Sequence, residues 1–266
     1  MITRKSPEEI ESIAAAGRVL TRCLWLLRAK ARPGVSTAEL DAAAEKFIRS
    51  QGAEPAFKGY RGFPGSICAS PNSMVVHGIP GSYRLRRGDV LSLDVGVVLG
   101  GWVADAAITV PVGKVTPPAA RLLSTTRASL FEAVERCRPG NRLGDVSHAV
   151  QERVESDGFS VIRSLVGHGI GRQMHEDPQI PNFGEPGTGP ELSEGMVLAV
   201  EPMVNAGRDG VRMGADNWAV YSQDGSLAAH FEHTVAITAD GPRILTPWHR
   251  HEADRSLQRT KSPARA

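Results

Sequence analysis

Two carboxylates interrupt the most apolar part of the chain. Val90-Leu91-Ser92-Leu93-Asp94-Val95 and the run from Trp102 to Val110, which contains Asp105, both predict strands, and Gly100-Gly101 between them predicts a hairpin turn. A lone charge in such a strand carries a large desolvation cost unless it is paired or bound to a metal. Taken singly, each aspartate is as simply explained as a strand-end or turn residue. Two of them on one apolar hairpin point to a shared cation. The same two charges break the stretch Val90 to Val112, so it is not a membrane span.

The hairpin sits inside a faint repeat. Ser6-Pro7-Glu8-Glu9 is a helix start with a cap, a proline at the first position and an acid three residues after the cap. Ile10, Ile13, Ala14, Gly17, Leu20, Leu24 and Leu27 then keep a helical period until Arg32-Pro33-Gly34 stops it. Ser36 with Glu39 opens a second helix. A helix from Thr116-Pro117-Pro118 likewise ends at Arg138-Pro139-Gly140, offset by 106 from the first such triplet, and Asn141 to Ser156 predicts the helix that follows. Gly88 to Asp94 is answered by Gly195 to Glu201: a glycine, an apolar strand and a carboxylate six residues on. Gly and Pro punctuate all proteins, so coincidence is the plain alternative. The sharper expectation is two related halves, each delivering strand-borne carboxylates to a shared centre.

Glu232, just before an apolar run to Ile237, and His168, between Gly167 and Gly169, complete the set. Four carboxylates and an imidazole suit Mn, Fe, Co or Zn. Four negative charges exceed what one divalent ion neutralises, so two ions balance them better. His77 and His175 would be hydrogen-bonding partners beside the metals, although the spacing alone equally fits ordinary surface or core histidines.

Composition narrows the class. Hydrophobic residues are 41% and charged residues 23%, which fits a globular chain. Lys plus Arg is 31 and Asp plus Glu is 29, a net charge of +2. Arg250, Arg255, Arg259, Lys261 and Arg265 against Glu252 and Asp254 give the end of the chain +3, so the body carries −1, unlike a nucleic-acid binder. Cys23, Cys68 and Cys137 form no CxxC pair or disulfide framework, and the N-terminus lacks the apolar core of a signal peptide. A cytoplasmic location fits both.

In this order, Tyr60-Arg61-Gly62-Phe63-Pro64-Gly65-Ser66-Ile67-Cys68, His77-Gly78-Ile79-Pro80, Gly167-His168-Gly169-Ile170-Gly171, Glu201-Pro202 and Phe231-Glu232-His233-Thr234 resemble type I methionine aminopeptidases. The likeness covers roughly residues 5 to 245, and the ordered set is far more specific than any one member. It implies an α+β pita-bread (creatinase/aminopeptidase) fold, with two pseudo-symmetric halves, a central antiparallel sheet and outer helices. It implies two divalent ions held by Asp94, Asp105, His168, Glu201 and Glu232, with Asp105 and Glu232 bridging. His77 would contact the scissile amide, His175 its carbonyl oxygen, and Glu201 would also shuttle the proton of the attacking water. Tyr60, Phe63, Cys68, Met174 and Trp218 would line the methionine slot, with Cys68 as lining and not as nucleophile. The implied reaction is removal of the initiator methionine from nascent chains and peptides, when the second residue is small, by a metal-activated hydroxide. Phe57 and Met174 depart from residues frequent in relatives at the same pocket, and Val103-Ala104 replaces a common His-Gly; no ligand is lost.

The resemblance further implies a monomer without DNA or membrane partners. Residues 1–248 are expected to form the catalytic domain and residues 249–266 a basic, flexible tail. Its charge suggests transient contact with the ribosome; a solvated chain end is the plainer alternative. An Xaa-Pro aminopeptidase or prolidase shares the same ligands, and the segment Tyr60 to Cys68 favours methionine removal over it. A non-catalytic binding relative would have lost ligands, and none is missing here.

Overall fold

The computed structural model describes residues 2–250, so all but the first two residues of the basic tail lie outside the described residues. Helices α1 (Pro7–Lys30) and α2 (Thr37–Ser50) open the chain. There follow β1 (Glu54–Pro55), β2 (Cys68–Pro71), β3 (Met74–Val76), and the hairpin β4 (Val90–Leu99) and β5 (Trp102–Pro111). A second pair, α3 (Pro117–Arg136) and α4 (Leu143–Ser156), precedes β6 (Ser160–Val161), β7 (Val166–Gly169), β8 (Glu176–Pro181), β9 (Val197–Val200) and β10 (Met203–Asn205). The chain continues through β11 (Val211–Met213), β12 (Val220–Ser222), β13 (Ala228–His230), β14 (His233–Thr238) and β15 (Gly241–Ile244).

The two helix pairs carry the expected repeat. Ser6 caps α1 and Ser36 caps α2, each in a reciprocal box with the glutamate three residues on. Thr116 accepts from Ala119 N at the start of α3. The last helix begins at Leu143, two residues later than Asn141, because the carboxylate of Asp145 receives the N–H of Arg142 and sets the first turn there. The apolar stripe of α1 packs on β4 and β5, and α3 packs on α4 with β10 and β13 beneath it. One hydrophobic core runs through both halves, from Ile13 and Leu20 through Leu91 and Leu93 to Leu198 and Val235.

All strand pairings among the described residues are antiparallel, and the central layer is divided into four sheets. Two of these build the site. In the first, β4 pairs with β1, β2 and β5. Its hairpin turns at Gly100 and Gly101, both at positive φ (58° and 76°), as a tight two-residue connection requires. The second runs β15-β14-β9-β7-β8.

Side-chain hydroxyls sew these sheets together. Thr109 Oγ1 accepts from His230 N and donates to His230 O, both at 2.8 Å. Thr234 Oγ1 accepts from Asp105 N at 3.0 Å and donates to Asp105 O at 2.7 Å. Between them Glu232 N donates to Ala107 O at 2.9 Å. Two threonines thus satisfy buried backbone groups where β5 runs alongside residues 230–234 without a regular ladder.

Candidate active site

Strand register alone brings the acidic residues onto one surface. Asp94 lies opposite Ala107, and Asp105 is two residues from Ala107 on the same strand, so both carboxylates share a face. In the second sheet His168 lies opposite Ala199, and Ala199 opposite Thr234. Glu201 is two residues beyond Ala199 and Glu232 two before Thr234, which sets all three groups on one face. The Thr234–Asp105 bonds then bring the two faces together.

At their meeting point Asp105, His168 and Glu232 each offer a ligand atom, all within 4.8 Å of one another. All three are buried. His168 Nδ1 lies 2.9 Å from Gly169 O, so it carries the proton and leaves the Nε2 lone pair facing the carboxylates, 3.6 Å from Glu201 Oε1. The flanking glycines permit this approach, since a Cβ on Gly167 would overlap Ala199 O and one on Gly169 would overlap Asp177 O.

These residues fit a divalent cation. Asp94 Oδ1, Asp105 Oδ1 and Glu232 Oε1 are buried without a hydrogen-bond partner, a costly state that a cation relieves. Burial raises Asp94 and Glu201 to about 7, with the Glu201 charge adding to the rise at Asp94 and nearby imidazoles opposing it. Burial and the neighbouring carboxylates push Asp105 and Glu232 well above the ordinary range. Crowded carboxylates that hold protons when alone are a donor set built for external positive charge.

The acids form the floor of a cavity of about 180 Å³. Its apolar wall includes Phe57, Tyr60, Phe63, Cys68 and Trp218. The Phe63 ring meets Trp218 edge-on at 5.1 Å and Phe57 edge-on at 6.5 Å. Cys68 is a free thiol whose pKa burial and the adjacent carboxylates push well up, so it holds no thiolate for attack. Met174 is the one predicted lining residue outside the cavity's lining. It is buried beside Gly96, where a Cβ would lie 2.9 Å from Met174 Cε and 2.7 Å from the ring of Phe57, a wall residue.

His77 and His175 stand at the mouth, both solvent-accessible. His77 adopts φ 59°, a left-handed conformation rare for a side chain of this size and one that recurs at functional sites. Tyr60 Oη lies 2.8 Å from His175 Nδ1, and the His175 ring is 4.3 Å from that of His168. Enclosure by the cavity walls, helped by His230, presses His77 down to about 4. The same enclosure, with the charges of His168 and Arg61, presses His175 to about 4. Both imidazoles are therefore neutral near pH 7.

Three residues with a place here escaped the sequence argument. His230 is buried with Nε2 3.3 Å from Glu201 Oε2, out of hydrogen-bonding alignment. A polar residue ending the apolar run Ala228-Ala229 was the available signal. Arg61 lines the cavity mouth inside a quoted motif, and Thr234 acts through the backbone of Asp105, which sequence does not reveal.

Comparison with known proteins agrees with this geometry. Residues 11–239 match metallopeptidase family M24. A methionine aminopeptidase from Clostridium perfringens is 52% identical over 246 residues, covering 92% of this chain and 99% of the relative. The crystal structure of methionine aminopeptidase from Thermotoga maritima superposes with a TM-score of 0.91 at 46% identity, covering 92% of this chain and 99% of that one. Prolidase from Pyrococcus furiosus shares the fold, with a TM-score of 0.75 at 24% identity over 91% of this chain and 65% of that one.

Proposed function

The chain belongs to metallopeptidase family M24 and removes N-terminal methionine, as its methionine aminopeptidase relatives do, and we propose that it acts on nascent chains whose second residue is small, using two divalent ions. In this reading Asp94, Asp105, His168, Glu201 and Glu232 would hold the ions, Asp105 and Glu232 serving both. The observation that carries it is the set of three buried, unpartnered carboxylate oxygens on the floor of a cavity with an apolar wall. Manganese, iron, cobalt and zinc all suit this donor set.

When bound, the ions supply the charge that balances the four carboxylates, polarise the scissile carbonyl and lower the pKa of the attacking water. The apolar wall takes the methionine side chain, which orients the first peptide bond toward His77 and His175. Neutral His175 accepts a hydrogen bond from the Tyr60 hydroxyl at Nδ1 and so presents Nε2–H to the carbonyl oxygen as negative charge grows there. His77 stands ready for the amide nitrogen. Glu201, beside His168 and His230, takes the proton of the attacking water and passes it to the leaving amine. No covalent intermediate is needed.

The cellular setting follows the same reading. Cys23, Cys68 and Cys137 are free and buried, which supports a reducing cytoplasm, and no helix among the described residues is long and apolar enough to cross a membrane. We place the enzyme as a monomer acting on emerging chains, with transient ribosome contact through the basic tail. Unchanged co-sedimentation with ribosomes after deletion of residues 250–266 would exclude that contact.

The test is cleavage by metal-stripped protein reloaded separately with Mn, Co, Fe or Zn. The peptides are Met-Ala-Ser, Met-Lys-Ser, N-acetyl-Met-Ala-Ser and Ala-Pro-Ser. Metal-dependent release of methionine from the first alone is expected. Release from Met-Lys-Ser would remove the small-residue rule, and cleavage of Ala-Pro-Ser instead would move the activity to an Xaa-Pro peptidase.

A further inference from the structure

The cavity lining divides by exposure. Phe63, Cys68, Asp105, His168 and Glu232 are buried and form the floor, whereas Arg61, His77 and His175 are exposed and mark the mouth. A peptide whose first residue sits on the floor must leave past the mouth. Beyond the metal-centre groups and the two imidazoles, Arg61 is the one charged residue lining this cavity.

Arg61 is placed there by an unusual backbone. It takes φ 49°, ψ 26° between Tyr60 and Gly62, in a short turn whose first member, Tyr60, is part of the pocket wall. Its guanidinium lies 5.4 Å from the centre of the Tyr60 ring, whose hydroxyl reaches His175. Neither ion pair nor hydrogen bond joins Arg61 to a carboxylate among the described residues. The guanidinium is thus held one aromatic ring away from the group that faces the scissile bond, with its donors turned to solvent.

We propose that Arg61 is a specificity-determining residue that favours peptides with a carboxylate side chain at the third or fourth position. The His175 ring and the Arg61 guanidinium each lie 5.4 Å from the centre of the Tyr60 ring, so they are no more than about 11 Å apart, within the reach of two to three residues of extended chain. The second residue passes the imidazoles and is too short to reach out, so the first side chains able to meet Arg61 are the next two. An exposed pair of this kind is worth a rate preference of about twofold to fivefold, and it weakens as salt rises. The proposal rests on the methionine-removal reading and names the substrates that reading prefers.

The experiment compares kcat/KM of the metal-loaded enzyme on Met-Ala-Glu-Ser, Met-Ala-Gln-Ser and Met-Ala-Lys-Ser, with the same three side chains also placed at the fourth position. The readout is the Glu-to-Lys ratio within each enzyme, so a general loss of activity in a variant cancels. Wild type is expected to favour Glu about twofold to fivefold at low salt, at one or both positions, and less at high salt. Arg61→Gln should bring the ratio near one, Arg61→Lys should keep part of it, and Arg61→Glu should invert it. A wild-type ratio near one or below at both positions overturns the proposal, as does a preference that survives Arg61→Glu. Release of methionine from the Gln peptides in those cases leaves the methionine-removal reading standing. No release from any peptide overturns both.

Discussion

Glu201 combines two demands in one side chain. It faces His168 at 3.6 Å and His230 at 3.3 Å, as ligand and proton carrier in the proposed reaction, and burial raises its pKa to about 7 in the metal-free protein. Glu201→Gln keeps the shape and an oxygen donor but loses the base. It is expected to lower kcat by roughly 10²–10⁴-fold in samples whose metal content matches wild type. Near-normal kcat in such a sample would contradict the proton-transfer role. Tyr60 has a narrower task, since its hydroxyl fixes which His175 nitrogen carries the proton. Tyr60→Phe should cost about 1 kcal/mol of transition-state stabilisation, roughly fivefold in kcat/KM, as expected for one lost hydrogen bond. An unchanged kcat/KM would mean that His175 is oriented by other contacts.

At the scale of elements, the seam between β5 and residues 230–234 decides whether the ligands meet. Thr234 serves both backbone groups of Asp105, and Thr109 both of His230. Thr234→Val removes the hydroxyl at nearly constant volume and leaves a buried N–H and C=O unpaired. That change should destabilise the fold by roughly 2–4 kcal/mol and weaken metal binding, while Thr234→Ser stays close to wild type. Urea unfolding and metal titration of both variants provide the check. The helices answer to simpler chemistry. Ser6→Ala removes the hydroxyl that caps α1 and should cost about 1 kcal/mol in the same unfolding assay.

Across the whole molecule, the carboxylates make stability depend on metal and pH together. Asp94 and Glu201 have folded-state pKa values of about 7, above the ordinary carboxylate range near 4. Between those limits these carboxylates bind more protons in the folded, metal-free protein than in the unfolded chain. Their contribution to stability is therefore expected to fall as pH rises from about 4 to about 7, while His77 and His175, pressed to about 4, act in the opposite direction. Bound cations replace those protons and stabilise the folded state by mass action. Stripping the metal should lower Tm more at about pH 7.5 than at about pH 5, as read by thermal unfolding with and without chelator. An equal loss at both pH values would show that the carboxylate cluster is not the source of the metal's stabilising effect.

The sequence by itself determined the local pieces. Capping boxes at Ser6 and Ser36, the stop at Arg32-Pro33-Gly34 and the turn at Gly100-Gly101 are short-range chemistry, so they appear where composition and spacing put them. Asp94 and Asp105 stood out because a charge inside an apolar strand needs a partner, and the motif order pointed to the rest of the candidate site. The start of α4 was misplaced because a carboxylate three residues downstream, and not the chain-end residue type, set its first turn. Only the tertiary structure decided which faces meet. It put Met174 beside Gly96, buried His230 against Glu201, left Arg61 at the mouth, and joined the two halves through Thr109 and Thr234. Those relations depend on strand register and on contacts between residues from about thirty to more than a hundred positions apart, and no local pattern encodes them.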